Sequence, residues 1–295
     1  MMISENCPLC SGGLRELNSI YDMCEDCGIN IKRGLESTEI TNETLDKDSI
    51  VKIDKLTKFK VSTVLKADKI RVGILDIGSA SGKFLFHSRS LFKFVQGVEV
   101  NKTCTIFADK ELNIKLVESI DLIDFNRVSC ITFWHSLEHI PLKTAQEFLE
   151  IIVKLERITP LIISVPNASS FQFKMFKTKW PYYDQMSHLY QYSPESLNIL
   201  MLQSGFRFVS RKIGLMYELF GYLQGYLNKC QPITNYYYYR KKRGWDFNLS
   251  NHELFLLDFY NYLLLIFFLP LALLSLPLSF MGNEGVINYE YQQKR

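Results

Sequence analysis

The chain has 295 residues, enough for one large domain or one domain with attachments. Its apolar and charged fractions, 47% and 22%, are those of an ordinary globular protein and exclude a disordered or fibrous chain. A net charge of +3 is too small to argue for nucleic acid as a partner.

The N-terminus, "MMISENCPLC", is polar and lacks the apolar stretch of a secretory signal. The chain is therefore expected in the cytoplasm, where thiols stay reduced and cysteine clusters more often hold metal than form disulfides. "CPLC" and "CEDC" place Cys7, Cys10, Cys24 and Cys27 as two C-x2-C turns. Two such turns complete a tetrahedral Zn(II) shell with Zn–S bonds of about 2.3 Å. A redox pair or free surface thiols is the alternative. Four protein ligands leave no open position, so the zinc has a structural role. Residues 1–35 form a zinc-ribbon module too short to bury much core, and metal supplies its folding energy. Cys104, Cys130 and Cys230 lie in apolar surroundings and are expected in the core.

Residues 36–70 read as a linker and a leading helix, with Ile50, Ile53, Leu56, Val61, Val64 and Leu65 at amphipathic spacing. Strands and helices then alternate. "VGILDIG", "FVQGVEV", "IKLVES", "SCITFW", "PLIISVPN" and "FRFVSRKI" read as strands. "GKFLFHSRSLF", "NKTCTIFADKEL", "KTAQEFLEIIVKL" and "SPESLNILMLQSG" read as helices, the last with Ser193 as cap, Pro194 in its first turn and Gly205 at its end. Such alternation predicts an α/β fold, a mostly parallel sheet with helices on both faces, which binds ligands at the carboxyl ends of its strands.

The loop in "LDIGSASGKFL" lies at such an end. It lacks the glycines of a dinucleotide fingerprint, since Ala80 and Lys83 stand where glycines would be needed. It also lacks the spacing of a phosphate-binding P-loop. Asp76, just before the loop, would repel phosphate but suits a cationic ligand. Glu99, at the end of the next strand, can accept ribose hydroxyls, and it follows Gly78 by close to the roughly 20 residues that arrangement needs. A positively charged nucleoside fits both acids.

"LDIGSASGKFL", "GVEVN" and "FWHSLEHIP" together resemble the class I methyltransferases that use S-adenosylmethionine. The resemblance covers a core at about residues 71–214 and the last strand, at 284–295. It implies a Rossmann-like sheet in which Asp76, Gly78, Ser79 and Gly82 face the methionine half of the cofactor, Glu99 holds the ribose and Trp134 lies beside the cofactor. Ala80 stands where the family usually has a third small residue, Gly.

His135, Glu138 and His139 form H-x-x-E-H, a spacing also found in zinc peptidases. Those need a long helix, which Pro141 denies here. The region also resembles quinone O-methyltransferases, where an E-x-x-E-H run contributes to a divalent-metal site; His135 departs from the first Glu. A structural alternative has Glu138 and His139 capping the following helix. "WPYYDQMSHLYQYSPESL" sets His188 among tyrosines at the substrate edge, where a histidine is suited to remove the acceptor's proton. Its alternative role is to close a lid. His188-Leu189 and Tyr192-Ser193 are similar to a stretch of sugar methyltransferases with N-terminal zinc modules.

Residues 215–283 read as a hydrophobic helical insertion before the final strand. The run from Phe259 to Phe280 carries no charge and is long enough for a span, since about 20 residues cross the hydrocarbon core. A single crossing would strand the last β-strand on the far side, and Pro270 and Pro277 should break a straight helix. The expectation is a monotopic or re-entrant anchor on the cytoplasmic face. Arg240, Lys241, Lys242 and Arg243 would face anionic headgroups, with Tyr236 to Tyr239 and Trp245 at interfacial depth. A buried dimer interface is the alternative. The insertion is similar to that of methyltransferases from bacterial surface-polysaccharide clusters, which implies methylation of a sugar, free or lipid-linked. A quinone or other lipid-like acceptor, and a non-catalytic membrane scaffold, are the competing readings.

Overall fold

The computed structural model describes residues 6–34, 45–240, 247–281 and 283–294. The N-terminal module is a small antiparallel meander of β1 (Leu14–Glu16), β2 (Tyr21–Cys24) and β3 (Asn30–Lys32). Next come α1 (Lys47–Val51) and α2 (Lys55–Ala67). The single leading helix expected from periodicity is thus split. Asp54 accepts from Thr57 N and starts a new helix, and Ile53 between the two is exposed.

The core runs β4 (Gly73–Ile77), α3 (Lys83–Ser88), β5 (Phe94–Val98), α4 (Lys102–Leu112), β6 (Leu116–Val117), β7 (Cys130–Trp134), α5 (Leu142–Val153) and β8 (Leu161–Pro166). It continues through α6 (Phe171–Phe176), β9 (Tyr190–Gln191), α7 (Pro194–Gln203) and β10 (Phe206–Arg211). Three helices follow, α8 (Leu215–Cys230), α9 (Tyr236–Tyr238) and α10 (Asn251–Phe280), before β11 (Val286–Gln293).

The large sheet has the order β10-β11-β8-β7-β4-β5-β6. Its strands from β4 to β8 run parallel, and β11 pairs antiparallel with both β8 and β10. Every residue of β4, β7 and β8 is buried, as a sheet covered on both faces requires. The expected Rossmann-like, mostly parallel sheet is present. Ser193 caps α7 with a reciprocal bond from Ser196, Pro194 is in the first turn, and Gly205 ends the helix at φ +85°.

The N-terminal module is built into this core. β3 pairs with β9, with Asn30 opposite Gln191 and Ile31 opposite Tyr190. Leu9 and Ile29 share one hydrophobic cluster with Leu197 and Leu200 of α7. The Ser193 hydroxyl donates to the Cys27 carbonyl at 2.7 Å. Cys104 and Cys130 are buried as expected, but Cys230, the last residue of α8, is exposed.

α10 is one helix through both prolines, contrary to the expected break. Each proline removes one backbone hydrogen bond, and the rest of the ladder and the packing against α8 carry the helix on. Tyr226 stacks on Phe268 at 5.3 Å and its hydroxyl meets Ser275 Oγ at 3.0 Å. The buried Glu218 carboxylate accepts from Ser279 Oγ, Gly285 N and Val286 N, joining α8, the end of α10 and the start of β11. The opposite face of α10, with Phe255, Phe259, Ile266, Phe267 and Leu274, is exposed.

Candidate active site

β4 delivers Asp76 and a loop to the carboxyl edge of the sheet. Gly78 and Gly82 adopt φ +76° and +75°, and a Cβ on Gly78 would collide with the Ser136 side chain. Gly78 N and Ser79 N both donate to the Val98 carbonyl, which fastens the loop to β5. The Ser79 hydroxyl turns inward to the Asp76 carbonyl at 2.8 Å. Ala80, at φ +48°, donates its N–H to Glu99 Oε2 at 2.7 Å, and Asn101 N donates to Glu99 Oε1 at 2.8 Å. Two backbone donors thus fix the carboxylate at the tip of β5 with lone pairs left to accept ribose hydroxyls.

Asp76 is buried, and its Oδ1 accepts from Thr132 Oγ1 at 2.6 Å. Burial pushes its carboxyl up to about 7; the Thr132 hydroxyl and the Lys60 ammonium oppose the rise without cancelling it. Trp134 ends β7, packs edge-on against Phe84 at 5.7 Å, and has a buried Nε1 with no hydrogen-bond partner. Lys60 Nζ of α2 lies 5.3 Å from the Trp134 ring centroid. A buried acid, a fixed ribose acceptor and an unused indole N–H around one loop fit a cationic nucleoside such as S-adenosylmethionine.

The residue after Trp134 is His135, in the left-handed region at φ +55° and held there by its N–H to the Ser164 carbonyl at 2.8 Å. Non-glycine residues so placed are uncommon and cluster at functional sites. Its ring lies 6.1 Å from Tyr182, stacked, and 5.2 Å from Tyr217 of α8. Glu138 is fully buried in the next turn, with His135 Nδ1 at 3.6 Å and His188 Nε2 at 4.0 Å. The His139 and His188 rings meet edge to face at 4.7 Å. Burial would raise the Glu138 carboxyl, but the three imidazoles outweigh it and hold it below the usual range. Burial and the neighbouring His139 depress His188 to about 4, against the pull of Glu138, so it is neutral near pH 7.

The structure brings His135, Glu138, His139 and His188 into one cluster. Glu138 and His139 do not cap the following helix, whose N-cap is Pro141 with no side-chain bond; they turn toward His188 instead. His188 is 7% exposed and sits behind the more open His135. The Tyr21 hydroxyl of β2 donates to the His188 carbonyl at 2.9 Å, so the cysteine module supports this residue. Tyr21, Tyr217 and Lys60 were not expected at the site. They come from distant segments and carry no local motif.

The thiols of Cys7, Cys10, Cys24 and Cys27 all lie within 4.8 Å of one another, with Cys7–Cys27 at 3.9 Å and Cys10–Cys24 at 3.4 Å, and none is in a disulfide. Sulfurs about 2.3 Å from one tetrahedral ion are separated by about 3.8 Å. Leu9 N and Cys27 N point at Cys7 Sγ and Cys24 Sγ. Burial pushes the Cys7 thiol up to about 11, so a cation is what would hold it as thiolate. The cluster fits a four-thiolate metal.

The profile of a methyltransferase domain matches residues 53–211. No curated protein matches the chain. Among solved structures, the mycolic acid cyclopropane synthase CmaA1, complexed with SAH and CTAB, has a TM-score of 0.50 at 11% identity, over 88% of this chain and 92% of that one. A SAM-dependent methyltransferase from Archaeoglobus fulgidus gives 0.45 at 17% identity, over 84% and 97%. The geranyl diphosphate C-methyltransferase from Streptomyces coelicolor A3(2) gives 0.47 at 10% identity, over 90% and 88%. At these identities the structures speak for the fold, while the domain match covers more than half of the sequence. The chain belongs to the methyltransferase-domain family, as a class I methyltransferase dependent on S-adenosylmethionine.

Proposed function

We propose that the enzyme methylates a sugar, free or lipid-linked, at the cytoplasmic face of a membrane. One observation supports this reading: Tyr217 of α8 packs against His135, and the same helix backs the exposed apolar α10. Tyr217 of α8 lies 5.2 Å from His135, and the Tyr182 hydroxyl donates to the Tyr217 carbonyl at 2.9 Å. A sugar's C–H face packs on such aromatic rings, and the neighbouring imidazoles can take a hydroxyl proton. In the reaction an acceptor oxygen or carbon forms its bond to the methyl carbon, the S–CH3 bond breaks, and its electron pair stays on sulfur. The acceptor's proton passes to the imidazole cluster, in which His135 and His139 are partly exposed and His188 is buried. Zinc in the cysteine cluster stabilises the module.

The test is methyl transfer from labelled S-adenosylmethionine into membrane extracts and nucleotide sugars, with mass spectrometry of the product. A methylated sugar is expected. A methylated quinone would overturn the acceptor, and cofactor binding without turnover on any fraction would favour a scaffold.

Glu99→Ala should weaken S-adenosylmethionine binding by roughly 1.5–3 kcal/mol, the scale of hydrogen bonds to a charged group. Unchanged affinity in calorimetry would misplace the ribose contact. Asp76 sets a pH dependence. Its carboxyl is protonated below about 7 in the cofactor-free protein, and the cationic cofactor prefers the carboxylate. Affinity should therefore rise as pH passes upward through about 7, and Asp76→Asn should flatten the profile. The cofactor-free fold shows the reverse trend. It holds this proton more tightly than the unfolded chain, so that contribution is full below about pH 4 and lost as pH climbs to about 7.

α10 is, among the described residues, the one helix long and apolar enough to cross a membrane. β11 nevertheless returns to the sheet between β10 and β8, which a single crossing forbids. The helix therefore lies in the interface, with Tyr236 to Tyr239 and Arg240 nearby in sequence. Lys241, Lys242, Arg243 and Trp245 fall outside the described residues. Fractionation should find the protein on membranes until detergent is added. A detergent-free soluble dimer would replace the anchor with a subunit interface.

A further inference from the structure

The acceptor cluster holds a donor set that its hydrogen bonds do not use. Glu138 is fully buried, and neither carboxylate oxygen has a hydrogen-bond partner. The nearest imidazole nitrogens, at 3.6 and 4.0 Å, stand too far off for hydrogen bonds. A buried carboxylate left without donors is among the costliest groups a fold can hold. His188 is also buried, and its Nδ1 has no partner. His139 is different. Its Nδ1 meets the Ser187 carbonyl oxygen at 3.0 Å, so that nitrogen carries the proton and Nε2 presents a lone pair. A backbone carbonyl orients metal-ligating imidazoles in the same way. One donor atom from each of Glu138, His139 and His188 lies within 4.8 Å of the other two. Ligand atoms about 2.0–2.2 Å from a shared ion are roughly 3–4.4 Å apart, so small side-chain shifts close the site.

We propose that Glu138, His139 and His188 bind one divalent transition-metal ion, separate from the cysteine cluster. Two imidazoles and one carboxylate suit a first-row ion such as Fe(II), Co(II) or Zn(II) better than Mg(II), which favours oxygen ligands. The set is not contained in the H-x-x-E-H run. His188 completes it from the segment after β8, held by Tyr21 and by the Leu189 N–H on the Glu138 carbonyl at 2.9 Å. His135 stays outside the set, 3.6 Å from the same carboxylate and free to act as the base. This use of the ion rests on the methyltransferase reading above: a Lewis acid beside His135 makes an acceptor hydroxyl easier to deprotonate.

The test titrates the purified full chain with Co(II) after an EDTA wash that leaves the cysteine-bound metal in place. One equivalent should bind, with visible ligand-field bands and no thiolate charge-transfer band. Glu138→Gln and His139→Gln should each weaken binding beyond the roughly 10–100-fold cost of losing an outer-shell partner. Unchanged S-adenosylmethionine affinity by calorimetry shows that the variants are folded. If Glu138→Gln loses that affinity, the part-exposed His139 carries the test. No bound Co(II), binding only with a thiolate band, or binding unaltered in the folded variants overturns the site. Co(II) binding needs no acceptor, so the two readings fail separately. A chain that binds Co(II) but methylates no sugar keeps the site and loses the acceptor. Sugar methylation without any Co(II) bound keeps the enzyme and removes the site.

Discussion

Cys24→Ser should abolish most turnover while leaving S-adenosylmethionine affinity nearly intact. Cys24 ends β2, is fully buried, and lies 3.4 Å from Cys10 through its sulfur. A structural four-thiolate metal supplies about 10–16 kcal/mol in small modules, far more than so short a meander gains by burial. Without it β3 has no reason to hold β9, and Tyr21 leaves the His188 carbonyl. The acceptor cluster then loses its outer support, and turnover should fall by about 10²-fold or more, the scale of lost proton transfer. The cofactor loop should survive, because its hydrogen bonds run to β4, β5 and Glu99. Calorimetry and labelled methyl transfer on one preparation check both halves. Full turnover in a metal-free variant would detach the module from the chemistry.

His188→Ala should lower turnover by about 10²-fold or more, the scale of impaired proton transfer by the imidazole cluster it belongs to, with cofactor affinity unchanged. The side chain is buried beside Glu138 and His139. Removing it opens a hole against a buried carboxylate that already lacks donors. Steady-state rates at saturating cofactor read the effect directly. A variant with full activity would leave His188 only the role of closing the lid over the site.

Much of this arrangement is legible from local pattern. The central strands β4, β7 and β8 are largely apolar runs, and the loop is flanked by Asp76 and Glu99 at spacings set by one strand–helix–strand unit. Cys7, Cys10, Cys24 and Cys27 show by spacing alone that they can converge. What escaped the sequence depends on tertiary contact. β9 is only two residues long, and its partner is more than 150 residues away. Tyr217 belongs to a stretch that reads as insertion, yet its ring packs against His135. α10 shows the limit of propensity: Pro270 and Pro277 signal a break, but the helix continues against α8. His135 in the left-handed region has no sequence signature at all, because the Ser164 carbonyl imposes it.

The position of β11 also sets the order in which the enzyme can be assembled. This strand pairs Ile287 with Val165 and Tyr289 with Arg211, so it fills the gap between β8 and β10. In chain order it follows all of α10, so it emerges from the ribosome after that helix. Until then the outer edge of β8 is unpaired, the kind of surface that draws a nascent chain into wrong pairings. The apolar helix is thus made while the catalytic sheet is still incomplete, and its end is tied to the closing strand through Glu218. Removing residues 286–295 would take away all of β11 (Val286–Gln293) and leave the outer edge of β8 unpaired.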